Sequence, residues 1–448
     1  MDKDINAFIT LLKETKSPEG TAVALKDNIS TKGIKTTNAS KMLENYIPVY
    51  NAAVVEKLES AGYVIAGKYN MDEFALGSSG ETGTFGVVKN PWNVSHIAGD
   101  GGAAAIASGQ VPLAIGTDSG GSLRKACSYC GVTGFIPTFG SVSRYGITAG
   151  ASSIDQIGVM GQNIEDCAAL LSVISGPDKR DSMCTIEKPL EFDLNKNKSI
   201  DGLNAGFKIG IPVNYFSYKI DEDIKSAVLE AAKEFENAGV SIEEFEMPLM
   251  DYVIPAFSII SCAEISSNFA KFDGLKYGYR SLNAKTLSDI YKLSRTESFG
   301  LEVKRKIMLG SFVLSSGQYD IYYKKALQAR SLIKETYTKL FERFDLILSP
   351  VSPAGARKLN ANINIWKTYE DNIFTAAVNL TGLPSVTLPC GFDKQGLPIG
   401  LQLIGSAFSE KKLIDIARIY QDLTDYHRKK PEKNSVPPCL RVEKGEKI

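Results

Sequence analysis

Residues 97–134 read IAGDGGAAAIASGQVPLAIGTDSGGSLRKACSYCGVTG, and this stretch constrains the chain more than any other. Two glycine-rich turns bracket an alanine-rich segment and a short apolar run at 112–115. The second turn, 116–121, ends at Ser122, where a helix-like segment begins. Glycines remove Cβ atoms, so several backbone N–H groups can converge on one point. A serine beside such a nest has the makings of a nucleophile beside an oxyanion hole. The same letters also describe an ordinary glycine-rich connection.

The choice of base is narrowed by a count. Only two histidines occur, His96 and His427, and His427 falls in the polar C-terminal stretch. A His-rich metal site is excluded, and a Ser-His-Asp triad has almost nothing to draw on. Lysine is the known substitute, because burial can lower its pKa until it is a usable base. One candidate presents itself: the apolar run 21–25 ends in Lys26-Asp27-Asn28. Lysine is seldom buried without a partner, so Lys26 is either a desolvated base or a side chain snorkelling to the surface.

Strand-like and helix-like segments alternate along the rest of the chain. Strands are expected at 63–66, 113–115, 208–211, 346–348, 385–388 and 399–404. Helices are expected at 54–61, 164–175, 221–238, 319–341, 372–380 and 411–423. Residues 4–13, INAFITLLK at their core, predict a short amphipathic helix. Such alternation implies an α/β fold, a mostly parallel or mixed sheet covered on both faces. No repeat or low-complexity linker divides the 448 residues, which read as one domain with a polar surface excursion at 176–202.

Other function classes find little support. Lys plus Arg equals Asp plus Glu, 51 each, so no global positive field draws nucleic acid, and the basic stretch from His427 reads as a solvated tail. Seven cysteines without framework spacing suit a reducing cytoplasm, and Cys127 and Cys130, though spaced C-x-x-C, read as small core side chains. No signal peptide and no uninterrupted run of 18 apolar residues is found. Gly99 to Ala104 matches G-x-G-x-x-A formally, but no apolar strand leads directly into it, and no G-K-[ST] occurs for an ATP site.

GTDSGGSLR, with ALKDNI before it and VTGFIPTFGSVSRYGI after it, resembles the amidase signature family. KYNMDEFALGSS, GLEVKRKIMLGSF, GQYDIYYKKALQARSLI and NLTGLPSVTLPCGFDKQGLPIGLQLIG extend the likeness over nearly the whole chain, nearest to the A subunits of tRNA-dependent amidotransferases. The resemblance implies an α/β/α fold around one large mixed sheet and a Ser–Ser–Lys triad. Lys26 falls on the lysine position and Ser122 on the nucleophile. The amides of Ser119, Gly120, Gly121 and Ser122 fall on the oxyanion hole. It further implies that glutamine is hydrolysed and that ammonia travels to a B subunit, which amidates mischarged tRNA with ATP and Mg. A small C subunit joins those two, and tRNA touches the glutamine-hydrolysing chain only indirectly. No cofactor is expected in this chain.

Several positions depart from the family pattern. Counted back without a gap, the relay serine falls on Ala98, and no serine lies between Ile97 and Ala107. A cis bond is therefore not expected at Ile97–Ala98. Asp100 is the only ionisable side chain nearby. A substrate-binding tyrosine becomes Phe257, an arginine for the substrate carboxylate becomes Lys306, and an aspartate for the α-amino group becomes Asn372. Lysine lacks arginine's bidentate fork, and asparagine lacks the charge that attracts an ammonium. The family's N-terminal helical stretch is also missing ahead of INAFITLL. Three readings follow: a working glutaminase within an amidotransferase, an amidase for another small amide, or a scaffold without chemistry.

Overall fold

The computed structural model describes residues 4–12, 20–194, 206–361 and 364–432. Among the described residues thirteen strands form: β1 (Phe8–Leu11), β2 (Ala22–Lys26), β3 (Val64–Tyr69), β4 (Lys89–Asn90), β5 (Asn93–Ile97), β6 (Leu113–Asp118), β7 (Thr133–Ile136), β8 (Gln156–Gly161), β9 (Lys208–Pro212), β10 (Ser241–Phe245), β11 (Leu346–Pro350), β12 (Ser385–Phe392) and β13 (Pro398–Gly405). Eleven of them join one sheet in the order β1-β3-β2-β6-β8-β7-β12-β13-β11-β9-β10, while β4 and β5 make a separate ribbon. The pairs β3–β2–β6 and β11–β9–β10 run parallel, and the middle of the sheet is antiparallel. The sheet is mixed, as the alternation and the resemblance both imply.

Side-chain alternation sorts the two faces of this sheet. Val23 and Leu25 of β2, with Leu113 and Ile115 of β6, join one core cluster. That cluster also takes Val54, Val55 and Leu58 from α1 (Ala53–Ser60) and apolar residues of the helices Ile164–Ile174, Glu222–Asn237 and Glu410–Leu423. Ala24 and Ala114 point the other way, into a second cluster that is rich in alanines where it meets the sheet. There α2 (Gly101–Ala107) supplies alanines and α3 (Ser122–Cys130) supplies Leu123, Ala126 and Cys127. Helices thus cover both faces, giving three α/β/α layers. Small side chains let α2 and α3 approach the sheet closely, and this brings their N-termini to the ends of β2 and β6.

The N-terminal expectation is overturned. Phe8–Leu11 is an edge strand, not a helix, and pairs antiparallel with β3. A short apolar run fits either period, and the free edge of β3 decides the matter. The expected helix 319–341 begins with a π turn, Tyr319–Tyr323, before the α-helix Lys324–Leu340. Asn372 lies ahead of its helix, Ala376–Thr381, rather than within it. His427 is buried in the short turn Tyr426–Arg428, not in a solvated tail, while the basic stretch beyond 432 lies outside the described residues. Cys127 and Cys130 are buried free thiols. The helix Met250–Asn268 belongs to the one segment among the described residues that is long and apolar enough to cross a membrane. Its residues Val253, Ala256, Phe257 and Ile260 pack into that second cluster.

Candidate active site

Lys26 is the last residue of β2 and is 1% exposed. Parallel pairing with β6 carries its side chain towards the end of that strand, where Nζ donates to the Thr117 carbonyl at 3.0 Å. Ser122 opens α3, and its Oγ donates to the same carbonyl at 3.1 Å. Two groups bonded to one oxygen lie within about 6 Å of each other. Asn28 fixes this crossing by donating Nδ2 to the Thr117 hydroxyl at 3.0 Å. Lys26 is therefore held inside the protein, not snorkelling to its surface.

A carboxylate stands beside the ammonium. Asp100 caps α2, its Oδ1 accepting the amides of Gly102 at 3.0 Å and Ala103 at 3.2 Å. Its Oδ2 lies 3.7 Å from Lys26 Nζ and accepts no hydrogen bond. Burial pushes the Asp100 carboxyl above its ordinary pKa, against the pull of Lys26 and the two amides. Ala98 is fully buried and touches this chemistry only through its chain, with its carbonyl facing the Cys130 thiol. Gly99, at φ +90°, makes the turn between them, where a Cβ would come within 2.8 Å of the Ala126 backbone. No cis peptide bond occurs among the described residues, so Ile97–Ala98 is trans. The side chain that meets Lys26 is two residues beyond the position counted for the relay.

The turn between β6 and α3 is held from beneath. Arg124, fully buried, pairs with Asp118 at 3.0 Å and also reaches the Thr375 carbonyl, Asn379 and Gln402. Burial pushes the Asp118 carboxyl up. The charge and hydrogen bonds of Arg124, with the amides of Arg124 and Gly121, outweigh it and hold the group below the ordinary carboxylate range. This arrangement corrects one oxyanion-hole expectation, because the Gly121 amide donates to Asp118 Oδ1 at 2.7 Å and is spent there. Gly121 instead supplies the turn, at φ +115°, where a Cβ would strike the Thr375 hydroxyl. That hydroxyl donates to the Gly120 carbonyl at 2.7 Å, and the Ser119 hydroxyl donates to Asp155 at 2.6 Å. Among the described residues the amides of Ser119, Gly120 and Ser122 carry no such engagement.

A cavity of about 550 Å³ opens over this turn. Thr117, Ser119, Gly120, Ser122, Phe257, Lys306 and Asn372 line it, while Lys26 lies behind Thr117. The Phe257 ring packs over Gly120, leaving no space there for a Cβ. Lys306 lies 3.7 Å from Glu302, one helical turn earlier, and Glu302 also accepts the Tyr369 hydroxyl at 2.8 Å. Asn372 accepts a hydrogen bond from Lys125 Nζ. Sequence reasoning missed Lys125, Asp155, Glu302 and Asp371. A signal existed for Lys125, which lies three residues after Ser122 and so on the same helix face. Neither His96 nor His427 lines the cavity.

The amidase family model matches residues 7–414. The A subunit of glutamyl-tRNA(Gln) amidotransferase from Lachnoclostridium phytofermentans is 49% identical over 422 residues, 92% of this chain and 85% of that protein. Its namesake from Agathobacter rectalis is 49% identical over 449 residues, 95% of this chain and 88% of that one. The crystal structure of the glutamyl-tRNA(Gln) amidotransferase A subunit from Thermotoga maritima superposes with a TM-score of 0.81 at 36% identity, covering 95% of this chain and 89% of its own.

Proposed function

The chain belongs to the amidase family, and from that membership we propose that it is the amide-cleaving A subunit of a glutamyl-tRNA(Gln) amidotransferase. Ser122 is its nucleophile and Lys26 the base. The observation that carries this reading is the Thr117 carbonyl, which receives both Lys26 Nζ and Ser122 Oγ. A nucleophile and a base brought to one acceptor need only a small shift to exchange a proton.

The steps follow from the groups present. Asp100, its Oδ2 3.7 Å from Lys26 Nζ, is placed to exchange a proton with it. The neutral Lys26 amine then accepts the Ser122 proton as the serine oxygen bonds to the amide carbon. The developing oxyanion turns to the amides of Ser119, Gly120 and Ser122, dipoles already in place before charge develops. Lys26 returns the proton to the nitrogen, the C–N bond breaks and ammonia leaves. Water, activated the same way, releases the acid from Ser122. By the resemblance the ammonia donor is glutamine.

In this reading the chain works inside a larger enzyme of several different chains. ATP and Mg belong to a partner B subunit, which also holds the tRNA, and a C subunit joins the two. The balanced net charge fits a chain that meets tRNA only indirectly. The cytoplasm is the expected compartment. The test is covalent labelling with a fluorophosphonate and mass spectrometry. Label on Ser122, absent from Ser122→Ala, is the expected result. An unlabelled wild-type protein refutes the proposal and favours a scaffold without chemistry.

A further inference from the structure

Glutamine, the proposed substrate, is a zwitterion, and its α-ammonium calls for a carboxylate that is not already engaged. Among the described residues five carboxylates line the cavity over Ser122: Glu73, Glu81, Asp155, Glu302 and Asp371. Four of them are occupied. Glu73 accepts the Ser40 hydroxyl and the Gly300 amide, and Asp155 accepts the Ser119 hydroxyl and the Gly150 amide. Glu81 pairs with Arg357 and accepts the Asn360 amide. Glu302 pairs with Arg305 and Lys306 and accepts the Tyr369 hydroxyl.

Asp371 differs from these four. Among the described residues its carboxylate accepts no hydrogen bond and forms no ion pair, and only the fields of Lys125, Lys367 and Arg357 reach it. Burial pushes its pKa up, and the three cations oppose that and favour the ionised form an ammonium needs. None of the three touches the carboxylate. Coulomb energy falls with distance, so a ligand ammonium in direct contact gains more from Asp371 than it loses to them. Asn372, next along the chain, cannot serve instead, because its side-chain oxygen is taken by Lys125 Nζ and carries no full charge. The same turn is fastened to the nucleophile from two sides. Asn372 accepts from Lys125, which shares a face of α3 with Ser122, and Thr375 Oγ donates to the Gly120 carbonyl at 2.7 Å. The place of Asp371 relative to the attacking oxygen is thus set by the fold.

Resting on the proposed hydrolysis at Ser122, we propose that Asp371 binds the α-ammonium of the substrate and sets the preference of the cavity for an amino-acid amide over the same amide without its ammonium. The charge absent from Asn372 is supplied one residue earlier, on the same turn. Glutaramate, which is glutamine without its ammonium, is the smallest probe of the difference.

Binding separates this inference from the reading beneath it. Calorimetry with the Ser122→Ala protein, which cannot turn either ligand over, compares glutamine with glutaramate before and after Asp371→Asn. Asparagine keeps the shape of the side chain and removes its charge, and Asp371→Ser repeats the comparison with a smaller group. Glutamine is expected to bind at least ~10-fold more tightly than glutaramate in the Ser122→Ala parent. Each Asp371 variant should weaken glutamine at least ~10-fold, while glutaramate binds as well or better. Equal loss of both ligands, an unchanged glutamine affinity, or no glutamine binding in the parent overturns the inference. Labelling of Ser122 in the wild type together with a glutamine affinity that ignores Asp371 sinks the inference alone. Glutamine binding that depends on Asp371 without any labelling sinks the hydrolysis and leaves the ammonium site standing.

Discussion

Replacing Lys125 with methionine should make the protein more stable at neutral pH. Lys125 is buried, and its pKa falls from the ordinary 10.5 to about 8. A change of one in pKa is worth about 1.4 kcal/mol between the two protonation states, so the charged form costs about 3 kcal/mol at most. Below pH 8 both folded and unfolded chains hold the proton, and the whole penalty weighs on the fold. Between pH 8 and 10.5 the unfolded chain keeps a proton that the folded one releases, so wild-type stability rises with pH. Methionine matches lysine in length and shape and carries no charge. The Asn372 oxygen that loses its donor faces the cavity, and Asp371 keeps Lys367 and Arg357. Allowing for the lost hydrogen bond, Lys125→Met should gain about 2 kcal/mol at pH 7. That gain should vanish between pH 8 and 10.5 and turn into a loss of about 1 kcal/mol, the missing hydrogen bond alone. Urea denaturation of both proteins across this range measures it as a shift in midpoint at constant slope. A variant less stable than wild type at pH 7, or a difference that ignores pH, refutes the account of Lys125 as a charge held against its solvation.

Three further outcomes follow from the same geometry. Asp100→Asn keeps an oxygen to cap α2 and removes the charge beside Lys26, whereas Asp100→Ala removes both. Thermal melts should place the alanine variant about 1 kcal/mol below the asparagine variant, and both should label at Ser122 at least ~10² more slowly than wild type. Arg124→Met strands Asp118 in the core and should cost about 3–5 kcal/mol in urea unfolding. Gly121→Ala forces a side chain to φ +115° and into the Thr375 hydroxyl. About 2 kcal/mol or more of stability is the expected loss, and Ser122 labelling should slow because the turn opens.

Much of the site is legible in the residues themselves. A glycine-rich turn ending in serine, a chain with two histidines and a lysine at the end of an apolar run point to Ser122 and Lys26 before any coordinates are known. Their meeting follows from parallel pairing of β2 with β6, which the alternating pattern implies without naming the neighbours. Counting along the chain puts the relay position on Ala98, whose side chain carries no transferable proton, and leaves Asp100 as the ionisable neighbour. Position 98 is chosen by spacing alone, but the turn at Gly99 and the cap of α2 bring Asp100 to Lys26. Spacing also cannot tell that the Gly121 amide is claimed by Asp118 while its neighbours are not.

Local chemistry in the sequence therefore determined most element types beyond the N-terminus, the small residues that let α2 and α3 approach the sheet, and the candidate nucleophile. These depend on periodicity and on side-chain size, which are properties of short stretches. Tertiary structure alone decided that Phe8–Leu11 is a strand, because only the open edge of β3 offers its backbone partners. It also decided which charges meet. Lys26 with Asp100, and Lys125 with Asn372, are 74 and 247 residues apart in the chain. Those meetings depend on burial and on neighbours that no window of sequence contains.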